Sequence, residues 1–165
     1  DLYSGDTRKV VLRLRTDVAA GDEPVTVADV EVSLRATKSD RSLSLKTAPT
    51  AIATTDADAV AKHRHPDAVR HIERAKTANA INEATALYER GEEKKAKQVL
   101  SVRRRQARSA ARAIADESLG GELSSATQSA EGNLDGAGWG RGSVGSTKGK
   151  RARKANRFDA FKLAH

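Results

Sequence analysis

Apolar residues follow two different periods along this chain, and the change comes near residue 56. Before it, apolar and polar positions alternate, most clearly at residues 10–15 and 30–34, and alternation is typical of a half-buried antiparallel strand. After it, apolar residues recur every three or four positions, which is a helical spacing. The pattern predicts an α+β fold: a small antiparallel β-sheet, followed by a long helical hairpin and a basic C-terminal helix.

The β-sheet region is predicted to cover residues 1–55. Val30, Val32 and Leu34 are expected to face inward from its longest strand. A small sheet with one apolar face needs a cover, and either the helices or strands from outside the chain could supply it. The predicted strands lie at residues 10–15, 25–34, 43–45 and 51–55, with a hairpin turn at Lys38, Ser39 and Asp40.

The helical hairpin is predicted for residues 56–118. Pro66 suits the first turn of a helix, where its missing N–H has no partner to lose, and Gly91 suits the point where one helix stops and the next begins. The apolar stripes are rich in alanine, so each helix buries little area and needs a partner surface. The stripes are Val69, Ile72, Ala80, Ala84 and Leu87, then Ala96, Val99, Leu100, Ala107, Ala110, Ala111 and Ile114.

A glycine-rich loop is predicted for residues 119–149, with one short helix at residues 122–130. Gly120 and Gly121 are expected to end the second helix of the hairpin. The lone tryptophan, Trp139, lies among alternating glycines. No GKS or GKT follows them, so the stretch is not a P-loop, and it does not follow a strand and open a helix as a dinucleotide fingerprint does. We interpret Trp139 as an anchor that fills a hollow on this chain or on a partner.

The net charge of +8 is concentrated at the C-terminal end, where residues 148–165 hold seven Lys or Arg against a single Asp. Such a segment attracts nucleic acid, anionic membrane or an acidic protein without distinguishing among them. Phe158 and Phe161 are expected to dock the predicted helix at residues 150–165 on the sheet, because exposed phenylalanines are a liability. Together with Trp139 they are the predicted partner-binding residues.

A strip of arginines on the second long helix has two interpretations; it consists of Arg103, Arg104, Arg105, Arg108 and Arg112. Arg104, Arg108 and Arg112 share one face at four-residue spacing and could contact phosphates. Alternatively the strip is a solvated face, paired in part with Glu73, Glu83 and Glu89. We favour the second interpretation, because no aromatic residues interleave for base stacking. The possible phosphate contacts are Arg104, Arg108, Arg112, Lys150, Arg151 and Arg153.

Several kinds of chemistry have little support in the sequence. The chain has no cysteine, which excludes disulfides, thiolate catalysis and Cys-based zinc sites and leaves the redox compartment open. His63, His65 and His71 are interpreted as surface or cap histidines, since Arg64 between the first two opposes a cation. No elbow motif marks an activated nucleophile, so we expect no enzyme. No apolar run approaches the ~20 residues of a membrane span.

One resemblance covers most of the chain. The opening segment, residues 1–6 (DLYSGD) followed by residues 8–14 (RKVVLRL), resembles the segment just after a von Willebrand factor type A domain in many bacterial proteins. In those proteins the strands complete a β-sandwich begun before the domain. A helical region then follows, with a pattern like that of residues 75–100, and a basic end like residues 151–163.

The resemblance implies a non-catalytic scaffold or protein–protein interaction region, whose partner is the remainder of the same protein or another protein. A homo-oligomer is also possible. No cofactor is expected in this chain, and a divalent cation would belong to an upstream type A domain. We also expect a longer parent protein, because Asp1 begins in mid-pattern without Met. The alternative function is a basic nucleic-acid-binding module that uses the arginine strip and the tail.

Overall fold

The computed structural model describes residues 11–164 except 13, 16, 22 and 36–40. The chain forms two compact units, which we call the β unit (Leu12–His63) and the helical unit (built on Arg64–His165). Each is described by itself. The fold is α+β, as predicted: small antiparallel sheets come first and long helices follow.

The β unit contains two antiparallel sheets of two strands each in its described part. The predicted long second strand is divided at residues 27–29, where the Val27 amide donates to the Pro49 carbonyl at 3.0 Å. The strands are β1 (Pro24–Thr26), β2 (Val30–Arg35), β3 (Ser42–Thr47) and β4 (Thr50–Ile52); β1 pairs with β4 and β2 with β3.

Two other predictions for this region have different outcomes. Residues 11, 12, 14 and 15 are not in a strand, so the strand predicted at 10–15 is wrong for the described residues. The predicted turn at Lys38, Ser39 and Asp40 lies outside the described residues.

A short helix, α1 (Ala57–Lys62), ends the unit. The Asp56 carboxylate caps it by accepting from the amides of Asp58 and Ala59 at 2.9 and 3.2 Å.

The helical unit is an antiparallel four-helix bundle. The loops between its first three helices hold only three residues each, and such short loops favour antiparallel neighbours. Pro66 begins the first helix, and Gly91 follows it with a φ of 75°, as the sequence predicts. The helices are α2 (Pro66–Glu89), α3 (Glu93–Ala113), α4 (Glu117–Ala137), the short α5 (Arg141–Gly145) and α6 (Thr147–Ala164).

The predicted glycine-rich loop is largely helical, which corrects the sequence interpretation. Gly120 and Gly121 lie inside α4 rather than ending α3. An interior glycine costs a helix up to about 1 kcal/mol, but α4 buries Leu119, Leu123 and Leu134 on one side, and packing of such a face contributes most helical stability. Gly120 also permits close approach of α3, because a Cβ there would lie 3.2 Å from the Ala111 Cβ.

The start of α4 is tied to α2 by charged groups. The Asp116 carboxylate accepts a hydrogen bond from the Leu119 amide at 2.9 Å and one from the Arg70 Nε at 2.6 Å. These two hydrogen bonds lower the pKa of Asp116. One turn further on, the Arg74 guanidinium binds both carboxylate oxygens of Glu122 at 3.0 and 2.8 Å. The contacts place α4 alongside α2 with the same direction.

The bundle core is built from small side chains. Its largest cluster contains more alanines than large residues, with Ile81, Leu87 and Leu100 between them. At the meeting point of α2, α4 and α6 lies Asn156, which is fully buried. Its amide nitrogen donates to the Thr85 hydroxyl at 3.3 Å and to the Ala130 carbonyl at 3.2 Å, while its oxygen accepts from Asn133 at 2.9 Å. The partner surface that the alanine-rich hairpin requires is thus supplied by α4 and α6 of the same chain.

Candidate binding surfaces

The apolar side of the β2–β3 ladder is exposed. Val32 lies opposite Leu45, and Leu34 opposite Leu43; because side chains alternate along a strand, all four share one face. We call these four residues the apolar ladder face. Their side chains are 47%, 57%, 41% and 55% exposed, in that order. The sequence correctly predicts that Val32 and Leu34 share a face, but no described residue of the β unit buries that face.

The other side of the same ladder is polar and internally paired. The Ser44 hydroxyl donates to the Glu31 carboxylate at 2.7 Å, and the Lys46 ammonium lies 3.5 Å from that carboxylate. Each of β2 and β3 also has a single neighbour among the described strands. The ladder therefore offers one apolar face and two strand edges, which are the features that an added strand uses.

Trp139 packs within its own chain. Its ring meets Tyr88 edge to face at a centroid distance of 5.1 Å, and the Lys97 ammonium lies 5.4 Å from the centre of the ring. The indole N–H of Trp139 donates a hydrogen bond to the Asp135 carboxylate at 2.8 Å. This hydrogen bond and one from Lys97 lower the pKa of Asp135. The sequence leaves open whether Trp139 fills a hollow on this chain or on a partner. The structure packs the ring against Tyr88 of this chain. Its role in binding a partner stays a prediction.

Tyr88, the residue beneath Trp139, is fully buried. Its hydroxyl has no hydrogen-bond partner within the described residues. Burial raises the pKa of Tyr88, because the phenolate would lose its hydration. The hydroxyl lies close to Gly149, where an added Cβ would be 3.0 Å away from it. The glycine-rich stretch is therefore a packed junction of α4, α5 and α6 over this tyrosine.

The arginine strip is largely engaged inside the bundle. Arg104 donates to Glu131 at 2.7 Å and to Thr127 at 3.2 Å, and Arg108 donates to Ser124 at 2.9 Å. All three acceptors lie on α4. Arg108 and Arg112 are both exposed and line a cavity of about 250 Å³. These two arginines thus remain accessible to phosphate, and the nucleic-acid alternative stays a prediction that depends on them and on the tail.

The glutamates expected to pair with the strip have different roles. Glu73 forms a buried ion pair with Arg103 of the strip, as predicted, and both side chains are 7% exposed. Glu89 instead accepts from Arg153 at 2.8 Å and from Arg157 at 3.0 Å, both on α6. No ion pair joins Glu83 to the strip within the described residues. The sequence could not distinguish α3 from α6 as the partner, because both carry arginines at helical spacing.

The C-terminal helix forms as predicted, but it docks through different residues. Phe158 and Phe161 are 55% and 56% exposed, so the prediction that they dock the helix is wrong. The helix faces α2 and α4 through small or polar residues, which allow the backbones to come close. These residues are Gly149, Ala152, Asn156 and Ala160. Reasoning from large apolar residues missed these four positions, although the half-buried Leu163 also packs against the core.

The predicted basic contacts on α6 divide into two groups. Arg153 is half-buried and donates to Glu89, so it serves the packing of α6 on α2. Lys150 and Arg151 are exposed, as are Lys154 and Lys162, which were not among the predicted contacts. The signal for Lys154 was its spacing of four residues from Lys150. The Lys162 ammonium lies 4.4 Å from the centre of the Phe158 ring.

The histidines do not converge. His63 and His65 are exposed, and the ring Nδ1 of His63 lies 2.9 Å from the Ala59 carbonyl oxygen of its own helix. His71 is half-buried on α2. Within the part of the chain that the structure describes, no three His, Asp or Glu side chains are grouped so that they could hold a metal ion. The expectation that this chain carries no cofactor stays an expectation.

Comparison with known proteins leaves the family open. No family model, no curated protein and no solved structure matches this chain. The resemblance to the region after a von Willebrand factor type A domain therefore stays a prediction. Among the described helices, none combines the length and the apolar character that crossing a membrane requires.

Proposed function

We propose that this chain is a non-catalytic scaffold whose β unit binds strands from the remainder of its own protein or from a protein partner. The observation that carries this proposal is the exposed apolar ladder face. Two-stranded sheets are marginal in water, and three or more strands with a covered face are needed for stability. The β unit has the strands but lacks the cover within its own described residues.

Covering the apolar ladder face would be strongly favourable. Full burial of a Val or Leu side chain contributes about 1.5–3 kcal/mol. Each of the four side chains has about half of that burial still to gain. A cover would therefore add about 1 kcal/mol per side chain, besides the backbone hydrogen bonds that an added strand makes at an open edge.

A strand or sheet suits this surface better than a polar ligand does. The opposite face, with Glu31, Ser44 and Lys46, is already internally paired, so only one face is left for apolar contact. Packing a second sheet on that face is the arrangement of a β-sandwich. The proposed resemblance to bacterial proteins with a von Willebrand factor type A domain names a source of such strands, since there the sandwich is begun before the domain.

The helical unit would serve as the rigid part of this scaffold. Its four long helices bury Asn156 and an alanine-rich core among themselves. Its ion pairs link α2 to α3, α4 and α6. A unit closed in this way holds its shape while the β unit gains or loses a partner.

The proposal can be tested with the 165-residue chain itself as the donor of strands. At rising protein concentration we expect association that persists at high salt, because it depends on apolar burial rather than charge. Sedimentation velocity of the wild type should show this association. Leu34→Ser combined with Leu45→Ser should abolish it. Lys46→Ser, a truncation on the polar face of the same ladder, should leave it unchanged.

Two outcomes would contradict the proposal. The first is association that the double substitution does not weaken, since the ladder face would then not be the surface involved. The second is a steep loss of association with salt, which would indicate charge pairing and favour the basic segments instead. The helical signal in circular dichroism should be the same in all variants, because none of the changes lies in the helical unit.

A further inference from the structure

The outward side of α6 combines unpaired positive charge with exposed aromatic rings. Six residues at helical spacing make up what we call the α6 outer face. Their side chains project away from the side that packs on the bundle. The α6 outer face consists of Lys150, Arg151, Lys154, Phe158, Phe161 and Lys162, all of them exposed.

The orientation of this face is fixed by the opposite side of the helix. Gly149, Ala152, Asn156 and Ala160 are buried against the bundle. The hydrogen bonds of Asn156 to α2 and α4 prevent the helix from rotating without breaking buried polar contacts. The two phenylalanines therefore cannot turn inward, and their exposure is a stable property of the folded helical unit.

The charges on this face are available to a ligand. Within the described residues, no carboxylate forms an ion pair with Lys150, Arg151 or Lys154. The cations closer to the bundle behave differently, because Arg153 and Arg157 both bind Glu89. The partner of the α6 outer face must therefore be anionic and must also accept two aromatic rings.

We propose that the α6 outer face binds the surface of bilayers that contain anionic lipids. Clusters of Lys and Arg on a helix are attracted to the negative potential of such surfaces, and aromatic side chains enter the boundary between headgroups and acyl chains. The face is the convex side of a helix, so it can lie along a flat surface. Phe158 and Phe161, one turn apart, would enter the interface while the cations contact headgroups.

Single-stranded nucleic acid fits this face less well. Proteins that bind it combine a positively charged groove with aromatic rings on which bases stack. Here the ammonium of Lys162 lies over Phe158, 4.4 Å from the ring centre, where a base would have to stack. At a bilayer the same lysine can extend toward the headgroups while the ring remains in the interface.

The test is co-sedimentation of the full chain with vesicles. The probes are phosphatidylcholine vesicles and vesicles in which about one lipid in four is phosphatidylserine. We expect binding to the anionic vesicles and little to the neutral ones. Each removed cation should lower the partition coefficient roughly fivefold. Lys150→Gln with Lys154→Gln should thus weaken binding about twenty-five-fold, as the product of two such factors.

Matched variants separate this face from general positive charge. Lys94→Gln with Arg105→Gln removes the same charge from exposed positions of α3 and should weaken binding far less. Phe158→Gln with Phe161→Gln leaves the charge intact and should still lower binding at least fivefold. Both rings are more than half exposed, so thermal unfolding should show that this variant remains folded.

Three results of the vesicle assay would overturn the proposal. They are equal binding to neutral and anionic vesicles, equal loss in the α3 and α6 charge variants, and no effect of the phenylalanine changes. Displacement from vesicles by a single-stranded oligonucleotide whose binding depends on Phe158 and Phe161 would also overturn it. That result would identify nucleic acid as the ligand of this face.

Discussion

Gly149 provides the most direct test of how the C-terminal helix is packed. It lies in the first turn of α6 and is buried. A Cβ at this position would overlap the Ser143 carbonyl oxygen and would lie 2.9 Å from the Val144 carbonyl oxygen. The backbone of α5 supplies both oxygens, so neither can move aside as the end of a flexible side chain could. Gly149→Ala should therefore force α5 and α6 apart.

The expected magnitude follows from two opposing effects. Replacing glycine by alanine inside a helix stabilises it by about 0.5–1 kcal/mol. Overpacking a well-packed site costs about 1–3 kcal/mol, and sometimes more. Since the overlap involves backbone atoms, we expect the second effect to dominate. Gly149→Ala should lower the free energy of unfolding by about 1–2 kcal/mol.

Gly132→Ala is the matched control. Gly132 lies in the interior of α4, and a Cβ there would meet nothing within 4 Å. It should raise the free energy of unfolding by about 0.5–1 kcal/mol. Urea denaturation followed by circular dichroism measures both. If both substitutions stabilise the chain equally, the close approach of α5 to α6 over Tyr88 is wrong.

Three further substitutions test other parts of the bundle. Asn156→Ala should lower the free energy of unfolding by about 1–3 kcal/mol, because it leaves buried partners on α2 and α4 unsatisfied; thermal denaturation that is unchanged would refute the buried network. Glu73→Gln should cost about 3–5 kcal/mol by leaving the Arg103 charge buried and unpaired, whereas changing both residues to Met should restore most of the stability in the same urea assay. Tyr88 keeps its proton in the folded chain at a pH where the unfolded chain releases it, so stability should fall as pH rises above the ordinary tyrosine pKa of about 10. Urea midpoints from neutral to alkaline pH should show a steeper fall for the wild type than for Tyr88→Phe, and equal slopes would contradict the assigned burial.

The helical hairpin could be predicted from the sequence because its signals are local. Pro66 and Gly91 set the ends of α2, and the helical period of the apolar residues holds through α3. The shared face of β2 could also be predicted, since alternation puts Val32 and Leu34 on the same side of the strand. These features follow from backbone geometry and from the spacing of neighbouring residues.

The bundle could not be predicted in the same way, because tertiary contacts stabilise it. Its fourth helix docks through Ala152, Asn156 and Ala160, which carry no strong hydrophobic signal. In α4, glycines suggested a loop, but the buried Leu123 and Leu134 hold it helical. The acceptor that each arginine contacts could not be predicted either, because it depends on which helix lies opposite.

Hydrogen exchange of the dilute, monomeric chain shows whether the β unit requires strands from outside itself. We expect fast amide exchange throughout β2 and β3, because a two-stranded ladder with an uncovered apolar face is marginal. Buried amides of α2 and α4 should exchange slowly in the same sample. Slow exchange of both strands in the monomer, at rates like those of the bundle, would contradict this requirement.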